Sequence, residues 1–399
     1  MQFSTGPQQL SKRDYFFSQP HQPFFVLGLI NAILFMLLFI PSYKGLFEIE
    51  AKFLHSYSMI FLVFTNFFYG FLYTTFPRFS GTMPIHPRKY LVVFLFNFFA
   101  SLTFLVSIWL NFAFYVTALL MAISFGYTIK IFYEIYKECR LPKKDQYWLI
   151  VSLGVGAISN LLFLLSFIPC SCKTNVFYET AINFGIYLYL IFLAFVVAFR
   201  MVPFFSHVMN WKKNEKLHIQ IFALFLLHSF LTGIYPKAVF LVDLIAALLL
   251  TIELKNIKFP FPNREPLLWI LHIALFWLPL GLFLGGIIEF FETWFGLYSF
   301  KLSLHILVLG FLTTILIGFG TRVTLGHSSN MLIVDKVTVY IFYFTQVVLL
   351  GRIIFSITAY FGKISPFFDI SATLWIVLFI WWMAKYFKIL AFGEKVIPK

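Results

Sequence analysis

His55 and His305 are the residues of this chain best placed for ligand chemistry. Each stands at the start of a long apolar run. Met59 follows His55 by four residues, so on a helix the thioether and the imidazole share a face. Two imidazoles on different helices at one level are suited to ligate a haem from both faces. A histidine and a methionine at that spacing also suit a soft ion such as Cu(I). The alternative for each histidine is an interfacial role, hydrogen-bonded to a backbone carbonyl. Asp243 and Arg352 stand inside other apolar runs. Either charge alone in lipid costs at least about 2.5–3.5 kcal/mol. The expectation is that they pair with each other, or that Arg352 holds an anionic group such as a haem propionate.

The remaining histidines sort by position. His21, His272 and His327, with Arg322, form a second candidate cluster toward the opposite side of the same apolar runs. Contact with lipid headgroups is the alternative for His21 and His327. His228 lies deep in its run, where a core histidine bonded to a neighbouring helix is expected. His86, His207 and His218 sit in or beside basic loops, where solvation is expected. Cys170 and Cys172 are too close together for an unstrained disulfide, and with Cys139 they complete no zinc spacing. No phosphate-binding loop, nucleophile elbow, H-E-x-x-H motif or paired hydrolytic carboxylates is present.

The elements that position these residues follow from composition. The 399 residues are 61% hydrophobic and only 12% charged, more apolar surface than a water-soluble domain of this size buries. The fold class is therefore an all-α polytopic membrane protein. About twelve transmembrane helices are expected, at 24–40, 54–76, 90–110, 112–132, 147–169, 177–199, 217–235, 237–253, 267–289, 301–320, 337–360 and 370–391. The run Leu304 to His327 organises the chain, with His305 at its entry and Arg322 and His327 at its exit. No linker interrupts the runs, so residues 23–391 form one membrane domain, preceded by a segment 1–22 and followed by a tail 392–399. The N-terminus is polar through Gln22, and no signal peptide is visible.

The formal charge is +14. Nucleic acid is one partner of a basic chain, but here the cations lie in short loops, so topology explains them and lipid is the expected partner. Lys and Arg divide 23 against 6 between the two sets of loops, with Arg352 inside a span. That asymmetry places both termini in the cytoplasm. His55 and His305 then share one depth near the outer surface. The second and tenth spans share a plan of His, Gly and Arg, but the spacings differ and no internal repeat is inferred.

Several blocks together resemble the NnrS family of bacterial inner-membrane haem- and copper-containing proteins. HQPFFVLG at 21–28, GFLYTTFPRFSG at 70–81 and RMVPFFSH at 200–207 are similar to family segments. PLLWILHIALFWLPLGLF at 266–283, LHILVLG at 304–310 and GTRVTLGHSSN at 320–330 are long and distinctive matches. The resemblance implies twelve helices, haem, copper, the bacterial inner membrane and tolerance of nitric oxide or its iron-nitrosyl products. Arg322, His327 and His272 match the family pattern. One departure stands at the second helix, where the family shows H-x-H-E-M. Here Tyr57 and Ser58 replace the second His and the Glu, between His55 and Met59. If those positions hold copper in the family, this chain binds metal differently or binds haem alone. The rival reading is a carrier of a small solute or metal ion, suited by the intramembrane charges and the glycines Gly318 and Gly320.

Overall fold

The computed structural model describes residues 11–168, 174–208 and 211–395. In the absence of water a spanning segment must satisfy its own backbone groups, which is why the apolar runs fold as helices. In chain order they are α1 (His21–Tyr43), α2 (Ala51–Ser80), α3 (Pro87–Val106), α4 (Ala113–Glu138), α5 (Lys144–Phe167), α6 (Asn175–Phe205), α7 (Leu217–Ile234), α8 (Val239–Ile257), α9 (Pro266–Phe295), α10 (Leu302–His327), α11 (Lys336–Tyr360) and α12 (Phe367–Phe392). Eleven of these are long and apolar enough to cross a membrane. The other is α8, whose 19 residues include Asp243, Glu253 and Lys255. All twelve expected spans are present as helices, and the described residues contain no strand.

Local chemistry sets the ends. Pro87 and Pro266 open α3 and α9, where a missing N–H costs nothing. Asp335 caps α11 by accepting from the Thr338 amide at 3.1 Å. Gly81 and Gly296 close α2 and α9 with φ of +65° and +69°, a conformation that favours glycine. Several helices overrun the expected spans: α2 has 30 residues and α6 has 31. Their extra turns carry the polar residues that flank the apolar stretch.

Three helices form the centre. The most apolar window is wholly buried in α2, 89% buried in α6 and 78% buried in α10, and no other exceeds 61%. The same three helices depart from α geometry. Ser58–Phe64, Phe184–Ile191 and Ile306–Thr313 are π-helical, a rare conformation that collects at functional sites. The wider turn inserts a residue into each hydrogen-bonded ring and rotates the helix face beyond it. Threonine hydroxyls reinforce it, donating five residues back from Thr65 to the Ile60 carbonyl at 2.8 Å and from Thr313 to Val308 at 2.8 Å. Close approach is also needed: a Cβ on Gly185 would sit 3.0 Å from Ile60 Cδ1 and 2.8 Å from Ser159 Oγ. Indole donors tie α12 to α1 and α10, from Trp375 to the Ala32 carbonyl at 3.1 Å and from Trp382 to Thr321 Oγ1 at 2.9 Å. Trp382 is thus a packing residue.

Candidate functional site

At one end of the central helices lies a cavity of about 570 Å³, within the roughly 300–1,000 Å³ usual for cofactor and ligand sites. The π-helical segments contribute Met59, Ile186 and Val308 to its wall, and Trp375 and Phe39 add aromatic surface. His55 and His305 both line it. Their rings are nearly parallel, with an interplanar angle of 7° and centroids 6.1 Å apart. The expectation that these two imidazoles share one level is met: they face one space from different helices.

Each ring is oriented by its surroundings. His305 Nδ1 lies 2.8 Å from the Lys301 carbonyl. A carbonyl can only accept, so Nδ1 carries the proton and Nε2 keeps its lone pair for a ligand. Arg352 Nη2 is also 3.3 Å from that nitrogen. Since both groups are then donors, this longer contact is secondary. His55 stacks on Phe39, with ring centroids 4.3 Å apart, and its buried Nδ1 has no hydrogen-bond partner. An orphaned ring nitrogen beside a cavity is a place where a ligand is needed.

Arg352 is buried at 8% exposure and borders the same cavity. It donates to Ser356 Oγ and to the Phe300 carbonyl, and its guanidinium lies 4.9 Å from the Phe355 ring. Among the described residues no carboxylate pairs with it. The expected Arg352–Asp243 bridge is therefore incorrect. Asp243 Oδ1 lies instead 2.7 Å from His228 Nδ1. The reason is lateral order: α7 and α8 are joined by a short turn, so their polar side chains meet each other before either can reach α11. At the cavity mouth Glu179 bridges Lys52 at 2.5 Å and Lys301 at 3.4 Å. Lys52 is legible in hindsight, one helical turn before His55. Nothing in the sequence pointed to Glu179.

The departure at Tyr57 and Ser58 also finds its place. Tyr57 does not line the cavity. Its hydroxyl donates to Asn160 Oδ1 at 2.8 Å, and its ring packs on Phe114 at 4.9 Å and Phe104 at 5.0 Å. Ser58 donates to the His55 carbonyl at 3.2 Å. Met59, four residues on, does share the cavity face with His55.

The second candidate cluster is only half assembled. His21 and His327 adjoin, with ring centroids 5.2 Å apart. His327 Nδ1 is bonded to Gln19 Oε1 at 2.7 Å. Arg322 and His272 do not join them, which corrects the four-residue expectation. Arg322 lies 3.9 Å over the Phe205 ring, and His272 Nε2 is bonded to Ser206 Oγ at 2.7 Å. Both are drawn to the end of α6, whose Phe205–Ser206 corner offers a π face and a hydroxyl. His218 departs from expectation too. It is fully buried, 3.6 Å from an Asp145 that also pairs with Arg200 and Lys213. His86 and His207 are exposed. Cys139 is a free, buried thiol, while Cys170 and Cys172 lie outside the described residues.

The NnrS protein family model matches residues 15–392, nearly the whole chain. The chain belongs to the NnrS family. No curated protein matches it. As an NnrS protein it is a polytopic membrane protein of a family linked to the nitric oxide response. The blocks that carried the resemblance map onto the central architecture: 70–81 is the C-terminal end of α2, and 304–330 covers nearly all of α10.

Proposed function

We propose that this NnrS protein is an integral-membrane haem protein of the bacterial inner membrane, which helps the cell tolerate nitric oxide and its iron-nitrosyl products. His55 and His305 would hold the haem iron, and Arg352 would pair with a propionate. The observation that carries this reading is the pair of near-parallel imidazoles, 6.1 Å apart across an apolar cavity. Two imidazoles this close on different helices would both be able to hold one iron. An apolar macrocycle fits the walls. Its carboxylates answer the buried guanidinium that otherwise lacks an acid. Bound haem supplies an iron centre with affinity for nitric oxide.

This chain's own residues would do the rest. The Lys301 carbonyl fixes the His305 tautomer, the aromatic wall would pack on the bound group, and Glu179 holds Lys52 and Lys301 at the mouth. Copper is expected to be weak or absent. Only His55 and Met59 keep the family's spacing, and Tyr57 is turned into an aromatic core. The orientation that leaves this cavity on the outer side rests on the 23-against-6 division of Lys and Arg. Reporters fused after Lys144 and Lys213 should score cytoplasmic, and one in the 170–175 segment periplasmic.

The deciding experiment is an absorbance spectrum with elemental analysis of purified protein. A Soret band with one haem per chain and little copper supports the proposal. Colourless protein that moves a solute in vesicles would establish a carrier instead.

A further inference from the structure

Away from this cavity, three helices bring together a second set of ligand atoms. His228 of α7, Asp243 of α8 and Glu289 of α9 each offer one, all within 4.8 Å of one another. None of the three lines the cavity. His228 and Asp243 are buried, at 2% and 1% exposure, and are joined at 2.7 Å. Glu289 Oε2 is buried and has no hydrogen-bond partner. The Tyr187 ring covers the imidazole, its centroid 4.0 Å away. Gly286 lets α8 come this close: a Cβ there would meet the Phe240 carbonyl at 3.1 Å and Asp243 Cβ at 3.4 Å.

Charge is what makes the cluster incomplete. Among the described residues no Lys or Arg forms an ion pair with Asp243 or Glu289; the one ion pair is with His228. Two carboxylates in a lipid-surrounded interior are tolerated only when neutralised. The Asp243–His228 contact serves one carboxylate, while Glu289 has the Ser303 hydroxyl but, among the described residues, no cation. One imidazole with two carboxylates is a ligand set for a divalent first-row metal such as Zn²⁺, Mn²⁺ or Fe²⁺. Its hard oxygen atoms disfavour Cu(I).

We propose that His228, Asp243 and Glu289 bind one divalent first-row transition-metal ion, at a site separate from the His55–His305 cavity. The ion replaces the His228–Asp243 hydrogen bond with coordination from both groups and supplies the cation that Glu289 lacks. The site would tie α7, α8 and α9 together beside the π-helical segment that carries Tyr187. Glu289 had no signal in the sequence beyond being an acid within an apolar run.

Zinc is the probe. Full-length protein in detergent is stripped with a chelator, exposed to Zn²⁺, desalted and assayed for zinc and haem together. Wild type is expected to retain about one zinc per chain and to gain thermal stability with zinc. Asp243→Asn and Glu289→Gln, which keep shape and remove charge, are each expected to bind zinc at least about tenfold more weakly. Their Soret absorbance per chain should stay at the wild-type level. Wild type that binds no zinc, or variants that hold zinc as tightly as wild type, would overturn the proposal. If a variant fails to fold, His228→Gln takes its place, and the zinc-dependent stability of wild type stands as an independent test. Zinc binding by colourless protein would overturn the haem reading alone.

Discussion

The two ends of α10 start from similar chemistry and finish differently. At one end His305 has an arginine within 3.3 Å and a second histidine ring 6.1 Å away. At the other, His327 has a histidine ring 5.2 Å away and Arg322 on the preceding turn. The first end opens onto the cavity of about 570 Å³, which neither Arg322 nor His327 lines. At the second, Gln19 takes the His327 nitrogen and Phe205 takes the arginine. A histidine beside an arginine is therefore not yet a site. It becomes one where the packing leaves volume, and where the polar atoms facing that volume have unspent bonding capacity.

The sharpest way to break this contrast is His305→Ala. It removes a ligand that the wall cannot replace, so haem should be lost or become high-spin in the absorbance spectrum. His55→Ala should do the same unless Met59, on the same face, takes the vacant position. If both variants keep wild-type spectra while His272→Ala or His327→Ala loses haem, the contrast is reversed.

Arg352→Gln should weaken haem retention less completely. A charge-assisted hydrogen bond of about 1.5–3 kcal/mol is removed, which is roughly a tenfold to hundredfold rise in the rate of haem transfer to an acceptor protein. An unchanged rate would mean that no propionate meets this guanidinium.

Tyr57→Phe tests the departure from the family pattern. The buried Asn160 oxygen loses its donor, at a cost of about 1–3 kcal/mol, seen as a lower thermal midpoint. Haem content should be unchanged, because Tyr57 faces away from the cavity. His327→Ala should lower the midpoint slightly through the lost Gln19 contact, about 0.5–1.5 kcal/mol, with no spectral change. His86→Ala, at an exposed helix cap, should leave the haem spectrum untouched and sets the baseline for the series.

The sequence alone determined the membrane class, the twelve helical runs and the common depth of His55 and His305. These are statements about distance along a helix axis. Hydrophobic length and a fixed rise per residue suffice for them. Which residues meet around the axis was decided only by tertiary structure. In water a polar face marks the outside of a helix, but lipid and protein core are both apolar, so these helices carry little facial pattern. Hence Asp243 meets His228 on the preceding helix and not Arg352, and Arg322 and His272 do not touch the histidines that share their depth. The π-helical turns of α2, α6 and α10 add a second reason. Each rotates the residues beyond it, so a count of residues from His55 or His305 no longer says which way a side chain points.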